Sequence, residues 1–118
     1  MRKIANVRKS GKDVARCILH ECAEGVYVFP CTTLEDGSSI GDIWFESLAD
    51  AEEACLSEYG IRAEDWVVID DPLPGCQQDW ISPVRVKGRI DGNPQWGVME
   101  RLESGTWVEF RKEPPAIS

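Results

Sequence analysis

The chain lacks any apolar run long enough to cross a bilayer as a helix, and its basic opening, residues 1–12, is not followed by the apolar block of a secretory signal. A cytoplasmic address and no membrane partner are the expectations that follow. No internal repeat or low-complexity tract is visible, so a solenoid has nothing to rest on. There is also no glycine-rich phosphate loop, no EF-hand spacing and no repeated CxxC knuckle. Nucleotide and motif-borne metal chemistry therefore have no anchor in the chain, and no cofactor is expected.

What is present is an ordinary globular composition: 118 residues, 42% hydrophobic and 29% charged. That length suits one core. Five cysteines are an odd number in a chain without an export signal, so reduced thiols are expected rather than a disulfide framework. The formal charge is −8 and the pI about 4.6, which opposes a phosphate backbone and favours basic partners. Residues 1–13 run the other way, with Arg2, Lys3, Arg8, Lys9 and Lys12 against Asp13, a local +4 that leaves −12 for the rest. Five bases without interleaved aromatics are a weak nucleic-acid footprint. The reading is a basic arm or edge strand over 1–13, followed by a single α+β domain over 14–118.

Residues 14–22 and 26–31 are apolar, β-branched and aromatic runs around Ala23-Glu24-Gly25, the pattern of a hairpin, with Pro30 at an edge or strand end. Residues 42–45 read as a short strand. A helix is expected over 48–59: Ser47 can cap it, Leu48, Ala51, Cys55 and Tyr59 form an apolar stripe, and Gly60 can end it with Ile61 returning onto Leu56. Residues 66–69, WVVI, read as a short buried strand. Three more strands, at 84–90, 95–102 and 106–111, are joined by turns at Asp91-Gly92-Asn93-Pro94 and Ser104-Gly105, and Pro114-Pro115 ends the sheet. The expected fold class is α+β, an antiparallel meander-like sheet of about five to seven strands with the one main helix on one face.

The longest stretch without helical or strand periodicity is 70–83, DDPLPGCQQDWISP, rich in turn formers and in specific side chains. Asp70, Asp71 and Asp79 could converge on a hard cation or act as acid and base, and they are also ordinary turn residues. Gln77, Gln78 and Trp80 suit directional recognition better than catalysis, or else pin the loop and plug the core. In the sheet, alternation groups Arg85, Arg89, Trp96 and Trp107 with Lys87, Glu100 and Glu109 on one face, and Val84, Val86, Ile90, Met99, Val108 and Phe110 on a core face beneath the helix. The register sets Arg85 opposite Glu100, Arg89 opposite Trp96, and Glu100 against Glu109, which repel. Cys17, His20, Cys22 and Cys31 have a zinc-like composition, but strand alternation separates Cys17 from His20 and Cys22.

The expected binding residues are Asp70, Asp71, Gln77, Gln78, Asp79, Trp80, Arg85, Arg89, Trp96 and Trp107, with no catalytic or metal residues. The function expected is non-catalytic recognition of a protein partner of basic character, with a homodimer also compatible. In size, acidity and build the chain resembles the immunity proteins that neutralise toxins, whose acidity complements basic nuclease surfaces. That resemblance implies an inhibitor, and it rests on size and charge with no motif. The alternatives are a small hydrolase or metal-dependent activity centred on Asp70, Asp71, Asp79 or Cys76, and a small-ligand pocket lined by Trp66, Trp80 and Trp96.

Overall fold

A computed structural model describes residues 1–7 and 13–111; Arg8, Lys9 and Lys12 of the basic arm and the tail Glu113-Pro114-Pro115 lie outside the described residues. The described chain is α+β, with antiparallel sheets of five and three strands and one main helix. It divides into two compact units, residues 1–71 and 72–118.

The first unit contains β1 (Arg2–Asn6), β2 (Arg16–Cys22), β3 (Gly25–Cys31), β4 (Ile43–Phe45), α1 (Leu48–Tyr59), a 3-10 turn (Ala63–Asp65) and β5 (Val67–Ile69). Its sheet runs in the order β4-β3-β2-β1-β5. The expected hairpin is β2–β3, in register Leu19↔Val28. Residues 2–6 lie inside the sheet, because β1 pairs with β2 on one side and with β5 on the other.

Helix α1 occupies the span expected for it. Ser47 is extended (φ −134°, ψ 156°) and its Oγ accepts the N–H of Asp50 at 3.2 Å, so one of the orphan amides of the first turn has a partner. Ala51, Cys55 and Tyr59 are buried and Leu48 packs beside them, joining Leu19, Val26 and Val28 of the sheet in the main core. Gly60 ends the helix in the left-handed region (φ 67°), where its N–H donates to Leu56 O at 3.0 Å and the N–H of Ile61 donates to Cys55 O at 3.3 Å. This stop carries Ile61 back into the main core with Ala51, Cys55 and Tyr59, not onto Leu56, which stays 53% exposed.

The opposite face of the same sheet carries a smaller cluster of Ile18, Phe29 and Cys31, with Ile4 and Tyr27 against it. Tyr27 and Phe29 stack with centroids 6.1 Å apart. Arg16 is buried at the end of this face, and its guanidinium donates to the carbonyls of Leu34 (2.7 Å) and Glu35 (2.9 Å), which anchors the loop after β3. The expectation of a buried strand at 66–69 is corrected: β5 is an edge strand paired with β1 only, and Val67 and Val68 are 62% and 70% exposed.

The second unit contains β6 (Val84–Val86), β7 (Val98–Glu103) and β8 (Thr106–Arg111) in the order β6-β7-β8. The strands are divided between two sheets, and the segment between β5 and β6 holds Pro72, Pro74 and Pro83, none of which can donate to a ladder. β6 and β7 are shorter than expected. After Val86 the chain turns at once, with Arg89 N–H donating to Val86 O (3.2 Å) and Asn93 N–H to Gly88 O (2.9 Å), before Gln95 N–H returns to Lys87 O (2.8 Å). The core face of this sheet is Val84, Val86 and Met99 with Trp80 and Phe110 packed on it. Helix α1 instead lies on the five-stranded sheet, against β3 and β4, so the expected placement of the C-terminal strands beneath the helix is corrected. Ile90, expected in that core, is 54% exposed because it falls in the turn.

Leu19 is fully buried under α1. Leu19→Ala is expected to lower the unfolding free energy by about 2–5 kcal/mol in urea titrations, and Leu56→Ala to change it by less than about 0.5 kcal/mol.

Candidate recognition surfaces

The 70–83 segment is tied to the residues on either side of it. The buried Arg2 side chain donates from Nε to the Asp70 carbonyl at 2.7 Å, which ties the end of β5 to the start of β1. The Asp71 carboxylate pairs with the Met1 ammonium at 3.2 Å. That hydrogen-bonded ammonium holds the Asp71 carboxyl below its ordinary value; burial opposes the effect, while the charges of His20 and Arg2 add to it. Cys76 N–H closes a turn onto Leu73 O at 2.9 Å, and Gln77 N–H donates to Val84 O at 2.7 Å. The Gln77 side-chain oxygen accepts from Arg89 Nη1 at 3.0 Å. Gln78 and Asp79 are half-buried. Asp79 belongs to the second unit, whereas Asp70 and Asp71 belong to the first.

Trp80 packs on Val84, Val86 and Met99, with its ring 5.9 Å from that of Phe110 and tilted by 60°. It fills the position over the three-stranded sheet that the sequence reading gave to the helix. The large indole suits this role, since a three-stranded sheet must bury one face against something.

The expected pairs Arg85↔Glu100 and Glu100↔Glu109 are formed on the other face of that sheet, where Leu102 also pairs with Trp107. The Glu100/Glu109 repulsion is relieved by two bases from the β6 side: Arg85 Nε meets Glu100 at 3.1 Å and Lys87 Nζ meets Glu109 at 2.6 Å. Arg85 also lies over the Trp107 ring, 3.8 Å from its centroid. This face is therefore a self-neutralised lattice. Arg89 is not opposite Trp96, because both fall in the turn beyond the shortened strands; Arg89 bonds Gln77, and Trp96 is 73% exposed.

The Cys/His constellation of the hairpin does not assemble. Cys17 lies in the main core beside Cys55, Cys31 lies in the cluster on the opposite face, and Cys22 Sγ donates to Gly25 O at 3.6 Å. A hydrogen bond with Cys55, together with burial, pushes the Cys17 thiol far above its ordinary value. Among the described residues no group of three or more His, Cys, Asp or Glu is placed to hold a metal ion.

A surface that the sequence reading passed over lies at the β4 edge. A groove of about 310 Å³ runs between β4 and α1, lined by Val28, Ile43 and Phe45 from the sheet and by Ala54, Cys55, Glu58 and Tyr59 from the helix. Trp44 alternates to the other face of β4 and is half exposed. Its indole is fixed there: Nε1 donates to Glu24 O at 3.1 Å, and the ring lies so close over Gly25 (φ 133°) that a Cβ at that position would collide with it. The signal for this surface is in the charge sequence. From Cys17 to Ile61 there are ten Asp or Glu and no Lys or Arg. Residues 1–71 hold seven Lys/Arg against fifteen Asp/Glu, and residues 72–118 hold six against six, so the whole net charge of −8 belongs to the first unit.

Trp80→Ala is expected to cost about 3–5 kcal/mol of stability, read by denaturant unfolding, with Trp96→Ala within about 0.5 kcal/mol of the parent. Asp71 is expected to titrate by NMR below the ordinary aspartate value of about 3.9. Because its folded pKa is depressed, its contribution to stability is complete above the unfolded value and disappears as pH falls through the folded one. Asp71→Asn should therefore flatten the acid limb of the stability–pH curve. No family model, curated protein or solved structure matches this chain.

Proposed function

We propose that this protein is a non-catalytic recognition domain for a basic protein partner and that the first unit, centred on β4 and α1, makes the contact. The observation that carries this reading is the partition of charge: −8 in residues 1–71 and zero in residues 72–118, with no Lys or Arg between Cys17 and Ile61. A one-signed surface steers an oppositely charged partner and disfavours acidic competitors. The exposed side chains Ile43 and Trp44 sit within this acidic stretch and supply apolar contact area, which charge alone does not. This combination suits an inhibitor of a basic toxin, which the likeness in size and charge to immunity proteins implies.

The test is affinity capture on the full chain in an extract of the native host, followed by purification of the captured protein and calorimetry. The expected partner is basic, and its affinity falls at least about tenfold between about 50 mM and about 300 mM salt. Asp50→Lys with Glu53→Lys, two exposed positions on α1, should weaken binding by about tenfold or more, while Asp91→Lys with Glu103→Lys in the second unit should change it by less than about twofold. A neutral or acidic partner, or binding indifferent to salt, would overturn the proposal.

A further inference from the structure

The β4 edge has a geometry that specifies how such a partner would bind. Strand β4 pairs with β3 through Ile43↔Val28, Trp44↔Tyr27 and Phe45↔Val26, and it is the terminal strand of its sheet, so its outer side has no ladder partner among the described residues. Ile43 and Phe45 point to the helix side and line the groove, and Trp44 points to the other side. The same alternation, continued one residue past each end of β4, sets the exposed acids Asp42 and Glu46 on the Trp44 side. On the helix, Asp50, Ala54 and Glu58 follow one another at four-residue spacing; Ala54 and Glu58 line the groove, so Asp50 extends the same line.

We infer that the β4 edge accepts an extended segment of the partner as an added strand, one in which apolar residues alternate with Lys or Arg. This inference rests on the basic-partner reading above. In such a strand, lying about 4.8 Å from β4, the apolar side chains enter the groove beside Ile43, Phe45 and Ala54, while the basic side chains lie along Asp42, Trp44 and Glu46. Trp44 offers a fixed ring face for a cation, and its flanking carboxylates supply the opposite charge. Main-chain pairing supplies affinity, and the two-sided pattern supplies specificity.

The other free edge of the same sheet, β5, is less suited to this partner. Its surroundings include the Met1 ammonium at Asp71, the Arg62 guanidinium at Asp65, and Lys3 directly across the ladder from Val68. Those cations lower its attraction for a basic strand, whereas the stretch around β4 contains none.

The probe is a blocked heptapeptide, Lys-Val-Lys-Ile-Lys-Val-Lys, compared with an isomer of the same composition in block order, Lys-Lys-Lys-Lys-Val-Ile-Val. Amide shifts of the full chain are followed by NMR at low salt. The expected result is binding of the alternating peptide at least about tenfold tighter than the block isomer, with shifts at Ile43–Phe45 and Tyr59 and inter-strand NOEs across β4. Ala54→Phe, which fills the groove, and Ile43→Asp, at a partly exposed position, should each remove most of that tenfold preference while leaving the far-UV CD unchanged. Equal affinity of the two isomers, with shifts scattered over the carboxylates, overturns strand addition and leaves the basic-partner reading standing. Shifts centred on Val67–Ile69, or a helical bound peptide, also overturn it. Failure of both peptides to bind at low salt sinks the added strand, and the capture experiment then decides the basic-partner reading on its own.

Discussion

The arrangement of the first unit depends on one apolar seam, the stripe Ala51, Cys55 and Tyr59 of α1 closed by Ile61 and buried against Leu19, Val26 and Val28. Hydrophobic burial has no direction of its own, so direction comes from the caps. Ser47 fixes where the helix begins and Gly60 returns the chain into the core at Ile61, and the helix between them packs against β3 and β4. The acidic outer face of α1 follows from the same stripe: with one side buried, Asp50, Glu53 and Glu58 must face outward along its length.

Elements whose determinants are local were legible in the sequence. The helix was readable because cap, stripe and stop lie within fourteen residues of one another, from Ser47 to Gly60. The β7–β8 register was readable because Ser104 (φ 49°) and Gly105 (φ 81°) supply a tight turn that fixes every pair behind it. The turn after β6 was not, since Gly88, Asn93 and Gln95 close a compact set of hydrogen bonds that competes with continuing the ladder, and periodicity does not reveal which wins. The role of Trp80 was undecidable for a different reason. A Trp in a loop has the same sequence signature whether it waits for a partner or covers a sheet, and only packing on Val84, Met99 and Phe110 separates the two.

The candidate site itself was half legible. Net charge is a whole-chain property, and setting the basic arm aside reveals an imbalance without locating the acid. The ten carboxylates of 17–61 are visible in the sequence. What could not be read is that the rest of the chain cancels itself through contacts such as Arg85–Glu100 and Lys87–Glu109. Those pairs reconcile two like charges placed opposite one another, a conflict the strand register creates and neighbouring bases resolve.

One feature of the fold carries a cost that acidity offsets. Strand β5 leaves Val67 and Val68 open on both faces of a sheet edge, the kind of edge that joins its like in another copy and propagates. Asp65 and Asp71 beside it are paired with Arg62 and Met1, so the repulsion between two copies approaching edge to edge comes from the −8 carried by the unit as a whole. The carboxylates that favour colloidal stability are thus the same ones on which the proposed recognition of a basic partner depends. As pH approaches the isoelectric value of about 4.6, that repulsion between copies vanishes, and with it the electrostatic attraction that the proposed basic strand would need at β4.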